Sequence, residues 1–161
     1  MDESTHGSRE RVSTLPEGRK ARRAAAARRR ADLDASFEQH REPLDRFAYA
    51  VFADAEAADE AVQATLLELR RSDRPVVADD LDRWLLATLA RVAYAQSRAE
   101  HTAEPGGSDA AAARVALVLH DVCGFTFDAI APLIDRAPAA ARQLAVQARR
   151  AAGTLETGTA D

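Results

Sequence analysis

Apolar residues recur at intervals of three and four along most of the chain, which is the pattern of amphipathic α-helices. The clearest case predicts a helix over residues 55–71, after a turn at Asp54, with a buried side of Ala58, Val62, Leu66 and Leu69. A preceding helical stretch begins near Asp34, and Pro43 predicts a helix start or a kink within it. The same spacing predicts further helices over residues 81–100, 110–122, 127–134 and 138–152.

Two segments interrupt this helical pattern. Residues 72–80 contain Pro75 and are expected to form a loop, and residues 101–109 contain the run Glu-Pro-Gly-Gly-Ser, which is the strongest cluster of helix-breaking residues in the chain. We therefore predict an all-α fold of two small helical domains, over residues 34–100 and 110–152. A flexible linker over 101–109 joins them, and residues 153–161 form a tail.

The charge is unevenly distributed in this chain of 161 residues, which has 22 Lys and Arg against 26 Asp and Glu and a net charge of -4. Nine of the basic residues lie between Arg9 and Arg30, opposed there only by Glu10 and Glu17. We expect residues 1–33 to be a disordered, low-complexity basic arm on an acidic body. Such an arm suits a segment that binds a polyanion, one that folds back on its own body, or one that is simply solvated.

Several classes of protein are excluded by what the sequence lacks. No run of about 18 apolar residues occurs, so no membrane span is expected. The single cysteine, Cys123, cannot support a disulfide framework or a cysteine-rich zinc module, and it fits a reducing, cytoplasmic compartment. His120 and Cys123 have the spacing of half a metal site, but a small buried cysteine is the simpler interpretation. No nucleophile triad, phosphate-binding glycine loop or metalloprotease helix is present, so we expect no enzyme, cofactor or small-molecule substrate.

The C-terminal half has the pattern of a helix-turn-helix unit: a short amphipathic helix, a turn over residues 135–137, and a second helix that Pro138 opens. The second helix of such a unit enters the major groove of DNA. Its inward side would be Ala141, Leu144 and Ala148. Its candidate DNA contacts are Ala139, Arg142, Gln143, Gln147, Arg149 and Arg150. Arginine and glutamine suit guanine and adenine edges and phosphates, although an ordinary helical hairpin with a solvated polar face is equally consistent with the spacing.

Two further faces are candidates for binding. On the helix over 81–100, one stripe comprises Trp84, Thr88, Arg91, Ala95 and Arg98. Aromatic and arginine side chains together bind single strands, but the simpler interpretation is that Trp84 caps the core while the arginines are solvated. The helix over 55–71 is acidic, with Glu56, Asp59, Glu60 and Glu68 beside Gln63, and it is either a docking surface or a solvated face.

These motifs together resemble a known family. The stretch 114–125, with Ile130-Ala131-Pro132 and residues 136–145, closely resembles region 4 of bacterial extracytoplasmic-function sigma factors. In the N-terminal half, residues 37–41, Ala48-Tyr49, residues 58–63 and Trp84-Leu85 resemble region 2 of the same family. The resemblance covers about residues 36–150, in the family's order and separation.

The resemblance implies a role for each candidate face. Asp59, Glu60 and Gln63 would dock on the β′ coiled coil of core RNA polymerase. Trp84, Thr88, Arg91 and Arg98 would lie on the helix that helps to open promoter DNA, and residues 138–150 would read the upstream promoter element. An anti-sigma factor is a further partner that the resemblance leaves open.

Two alternatives to an initiating sigma factor stay open. The chain departs from the family pattern at Ala95, Ala137 and Gln147, where an aspartate, a serine cap and a basic residue are usual. It could therefore be a degenerate member that binds polymerase or another partner without initiating transcription. The second alternative is a stand-alone helix-turn-helix regulator, which would pair over two half-sites as a dimer.

Overall fold

The computed structural model describes residues 16–72, 78–100 and 106–157, and within these ranges the all-α prediction is confirmed. Seven α-helices and one short 3₁₀-helix are present in this part of the chain. In order they are α1 (Pro16–Gln39), α2 (Arg41–Phe52), α3 (Ala55–Arg71), α4 (Ala78–Glu100), α5 (Gly107–Asp121), α6 (Phe127–Ile130), the 3₁₀-helix (Ala131–Leu133) and α7 (Pro138–Thr157). None of these helices combines the length and apolar character that crossing a membrane requires.

Helix α3 begins and ends at the predicted residues because both of its ends are capped. The Asp54 carboxylate accepts a hydrogen bond of 2.8 Å from the Ala57 backbone N–H, which satisfies one of the donors that a helix start leaves unpaired. At the other end, the Ser72 backbone N–H donates to the carbonyl of Glu68. Pro43 lies in the first turn of α2, where a proline costs no helical hydrogen bond, so it marks a helix start.

Helix α1 differs from the arm that we expected over residues 1–33. The chain is helical from Pro16, because alanine and arginine are both strong helix formers and together make up all of residues 21–31. Residues 1–15 of the expected arm lie outside the described residues. Helix α1 is anchored at its C-terminal end, where Leu33 and Phe37 are buried.

A bidentate ion pair also joins α1 to α3. The Arg70 guanidinium donates two hydrogen bonds of 2.8 Å to the two carboxylate oxygens of Asp34. These bonds favour the ionised carboxylate and hold the pKa of Asp34 below its ordinary value. The pair therefore holds the C-terminal part of α1 against the end of α3.

The buried residues of the two halves belong to one continuous hydrophobic core, so the prediction of two separate domains is not confirmed. Helix α5 packs against α2 and α4 of the N-terminal half, and it also packs against α7. Residues 34–100 and 110–152 number 67 and 43, sizes at which a domain on its own buries little apolar surface. Burying the free face of one half against the other removes more apolar area from water and stabilises both.

Polar contacts reinforce the junction between the halves. The Tyr94 hydroxyl of α4 is 3.2 Å from the Ser108 hydroxyl of α5 across this junction, while the Arg136 guanidinium donates to the carboxylate of Asp109 at 2.8 Å within the C-terminal half. The Arg83 guanidinium lies 4.7 Å from the centre of the Phe125 ring, at cation–π distance. Of the predicted linker, residues 101–105 lie outside the described residues and Gly107–Asp109 already belong to α5.

Candidate nucleic-acid and protein interfaces

The predicted helix-turn-helix is built from α6, the 3₁₀-helix and α7. The Thr126 side chain caps α6 by accepting a hydrogen bond of 3.3 Å from the Ala129 N–H, as predicted. The single helix expected over residues 127–134 is instead a short α-helix followed by a 3₁₀ turn. Pro132 explains the difference, because it has no N–H to continue the α-helical hydrogen bonds. Asp135, with φ of 53°, then turns the chain into α7.

Helix α7 has the two sides that the sequence predicts. Ala141 is fully buried, and Leu144 and Ala148 are half-buried. Ala145, which was not predicted, is also fully buried. The candidate DNA contacts are all exposed: Ala139, Arg142, Gln143, Gln147, Arg149 and Arg150. The helix thus presents a continuous face of hydrogen-bond donors and acceptors to solvent, while DNA contact itself stays a prediction.

An aromatic stack lies beneath the start of this face. The His120 ring stacks on the Phe127 ring with 4.2 Å between their centres, and His120 Nδ1 is 2.8 Å from the Phe125 carbonyl oxygen. The Arg142 guanidinium carbon lies 5.5 Å from the centre of the same Phe127 ring. The ring restricts the Arg142 side chain, so less conformational entropy is lost when it binds a ligand. The spacing of His120 in the sequence did not predict this stacking.

The Arg149 guanidinium is already paired with a carboxylate of the same chain. Its guanidinium binds the Asp121 carboxylate at the end of α5 through two hydrogen bonds, of 3.0 Å from Nε and 2.5 Å from one terminal nitrogen. These bonds raise the pKa of Arg149 above its ordinary value. Because the pair is 28 residues apart in sequence, no local pattern predicts it. Asp121 therefore neutralises one of the three arginines, Arg142, Arg149 and Arg150, that were predicted on this face.

The stripe on α4 is only partly available as a surface, which corrects the sequence analysis. Thr88 is 1% exposed, because it lies only about 60° around the helix from the core residue Leu85. Trp84 is half-buried and lines a groove with Phe125 and Leu133 of the other half. Arg91 and Arg98 are exposed, as a DNA-contacting role requires.

The candidate docking face on α3 is exposed and continues onto α2. Glu60 and Gln63 lie in solvent, and the Asp59 carboxylate accepts a hydrogen bond of 3.0 Å from Arg41 at the start of α2. A shallow groove between the two helices is lined by Asp59 and by Tyr49, which is 59% exposed. Tyr49 entered the sequence analysis only as part of a family motif, although an exposed tyrosine is a typical anchor of protein interfaces.

The His120–Cys123 spacing does not bring a metal-ligand set together. Among the described residues, no group of three His, Cys, Asp or Glu side chains lies close enough to share a metal ion. Cys123 is half-buried, and this burial raises the pKa of its thiol. It therefore packs as a small apolar residue near the end of α5.

Comparisons with known proteins add no identification. No protein-family model, no curated protein and no solved structure matches this chain.

Proposed function

We propose that this protein is a sigma-like transcription factor, which binds core RNA polymerase and directs it to promoter DNA. In this proposal residues 34–100 correspond to region 2 of an extracytoplasmic-function sigma factor, and residues 110–152 correspond to region 4. The observation that carries the proposal is the exposed polar face of α7, held opposite the buried Ala141 and Ala145 by the preceding short helix and turn. A helix in that setting is the element that enters the major groove.

The mechanism needs binding energy and no bond-making residue. The α3 face of Asp59, Glu60 and Gln63 would bind the β′ coiled coil, with Tyr49 adding apolar contact. Arg142 would bind a base edge or a phosphate, and Gln143, Gln147 and Arg150 lie on the same exposed side. Arg91 and Arg98 would hold the displaced strand.

A second candidate function is a non-initiating relative that binds polymerase or another partner. Two observations favour it: Thr88 is buried, and Trp84 lies in the groove between the halves. Both reduce the surface that could hold an unpaired strand.

Reconstitution with core RNA polymerase tests these functions. The purified chain is mixed with core enzyme, analysed by co-elution, and the complex is then assayed for run-off transcripts on a library of genomic promoters. Co-elution with transcripts supports the sigma-like function. Co-elution without transcripts, beside a control sigma factor that is active, supports the non-initiating function. Absence of co-elution contradicts both and favours a stand-alone DNA-binding regulator.

The docking face makes a specific prediction for polymerase binding. We expect Asp59→Ala with Gln63→Ala to weaken binding of core enzyme by at least about tenfold, because both side chains would lose polar partners at the centre of the interface. Binding is measured by fluorescence anisotropy of the labelled chain. Asp32→Ala with Gln39→Ala removes the same two side-chain types from exposed positions on α1 and serves as the matched control. Equal losses in both double variants would contradict the assignment of this face.

The ion pair of Arg149 makes a prediction for DNA binding. We expect Asp121→Asn to steepen the dependence of log K on log salt by about one, because the released guanidinium can neutralise one more phosphate. The control is Glu56→Gln, which changes the net charge equally at an exposed position on α3. Affinity for duplex DNA is measured at several salt concentrations. An unchanged slope in Asp121→Asn would show that Arg149 has no phosphate within reach.

A further inference from the structure

The N-terminal two thirds of α1 form a helix that buries none of its described side chains. Every residue from Glu17 to Asp32 is exposed, and Leu33 is the first buried one. A helix of this length extends for roughly 25 Å. Its nearest neighbour is the C-terminal end of α3, where the Arg29 guanidinium donates a hydrogen bond of 2.8 Å to the Ser72 carbonyl.

The exposed part of α1 carries a concentrated positive charge. Residues 16–32 contain seven basic side chains against Glu17 and Asp32, so this segment has a net charge of +5 and the rest of the chain has -9. Arg19 lies three and four residues before Arg22 and Arg23, and like charges at these spacings destabilise a helix. An anionic ligand would remove this repulsion.

A groove between α1 and α3 concentrates arginines further. Arg29 and Arg30 line one side, and Arg70 and Arg71 line the other, around Ala25, Ala26, Leu33 and Leu67. Asp34 and Glu68 pair with the two α3 arginines, and Arg29 and Arg30 add two further guanidinium groups on the α1 side. Guanidinium groups bind phosphate oxygens through two parallel hydrogen bonds, which makes arginine the side chain best suited to phosphate.

The shape and composition of α1 select among polyanions. Between Lys20 and Ala31 its side chains are only alanine, arginine and that one lysine, without the Leu, Phe or Trp that insert a helix into a membrane surface. Its cations lie on all sides, since Arg22, Arg23 and Arg28 point in directions well separated around the axis. This distribution suits a groove with phosphates along both edges. The major groove of B-form DNA admits an α-helix, whereas that of A-form RNA is too narrow.

We propose that α1, with the arginine groove at its base, binds the phosphate backbone of duplex DNA without reading its sequence. This surface is separate from α7 and needs neither polymerase nor a promoter. It supplies the attraction to DNA that the acidic remainder of the chain lacks.

Binding of the full-length chain to a scrambled duplex of about 30 base pairs tests the proposal. Fluorescence anisotropy gives the affinity at several salt concentrations. Arg22→Gln with Arg23→Gln removes two charges from α1 and retains good helix formers. We expect the slope of log K against log salt to fall by about two, since each phosphate contact contributes roughly 0.9. The matched control, Arg46→Gln with Arg114→Gln, removes two exposed charges from the body and is expected to change the slope by less than half as much.

The same measurements include the results that overturn the proposal. Equal slopes in the wild type and the α1 variant, or equal losses in the α1 variant and the control, would show that α1 makes no specific contribution. Tighter binding to duplex RNA, or retention on vesicles of phosphatidylcholine with 30% phosphatidylglycerol but not on DNA, would assign α1 to a different polyanion. Circular dichroism of each variant checks that the helix is intact. The slopes of the wild type and of the α1 variant are measured again with Arg142→Ala present in both proteins. If α1 binds DNA, the difference between the two slopes persists, even if the proposed role of α7 is wrong.

Discussion

Phe47→Ala is expected to lower the free energy of unfolding by about 3–5 kcal/mol. The Phe47 side chain is fully buried on α2, within the core that α2, α3, α4 and α5 share. Removing the ring loses the favourable free energy of its transfer from water. It also leaves a cavity that the surrounding helices cannot completely fill. Domains of this size are stable by only about 5–15 kcal/mol, so this loss is a large part of the total free energy of unfolding.

The measurement is urea unfolding followed by circular dichroism, with the slope m compared between variants to check that the transition remains two-state. Tyr49→Ala, two residues along the same helix, is the control. It also removes an aromatic ring, but Tyr49 is mostly exposed, so we expect a change of less than about 1 kcal/mol. A Phe47→Ala protein within about 1 kcal/mol of the wild type would contradict the burial of Phe47 in this core.

Arg142→Ala is expected to weaken binding of a cognate duplex by about 10- to 100-fold. Arg142 is exposed near the start of α7, and the Phe127 ring restricts its position. A bidentate arginine contact to a base contributes about 1–3 kcal/mol to discrimination against the wrong base. The duplex is first selected by the wild-type chain from a randomised library, and affinity is then measured by anisotropy.

Arg142→Lys distinguishes base reading from simple charge attraction. Lysine retains the positive charge but lacks the planar fork. If Arg142 reads a base, Arg142→Lys loses sequence preference at one position while the salt dependence is unchanged. If Arg142 binds only a phosphate, Arg142→Lys behaves like the wild type. Wild-type affinity and selectivity in Arg142→Ala would show that α7 is not the reading helix.

Local signals predicted most of the helices well. The limits of α3 and the start of α7 follow from residues adjacent to them: the Asp54 cap and Pro138 at the first helical position. The exposed face of α7 also follows from its periodicity. Helix α1 was missed because its charge and low complexity indicate disorder, while its alanine and arginine content favours a helix.

The sequence could not predict contacts between distant segments. The Arg149–Asp121 pair and the packing of α5 against α4 join residues that no short pattern connects. Periodicity identified an apolar face on each half but not which surface would cover it. The burial of Thr88 was missed because residues spaced alternately by three and four do not fall on one straight line along a helix. Thr88 lies at the edge of this stripe, where the packing of the neighbouring helices decides whether a side chain is buried or exposed.

The packed junction between the two halves lowers the affinity of every ligand that binds only when the halves are separated. In the proposed function Trp84 has to meet a DNA strand, yet it lies in a groove with Phe125 and Leu133. Part of the binding free energy is then used to open the junction, and the apparent affinity falls by the fraction of molecules that are open. An opening free energy of about 1.4 kcal/mol already lowers that affinity roughly tenfold. A first ligand that separates the halves removes this cost for the second, so polymerase and DNA would bind with positive cooperativity without touching each other.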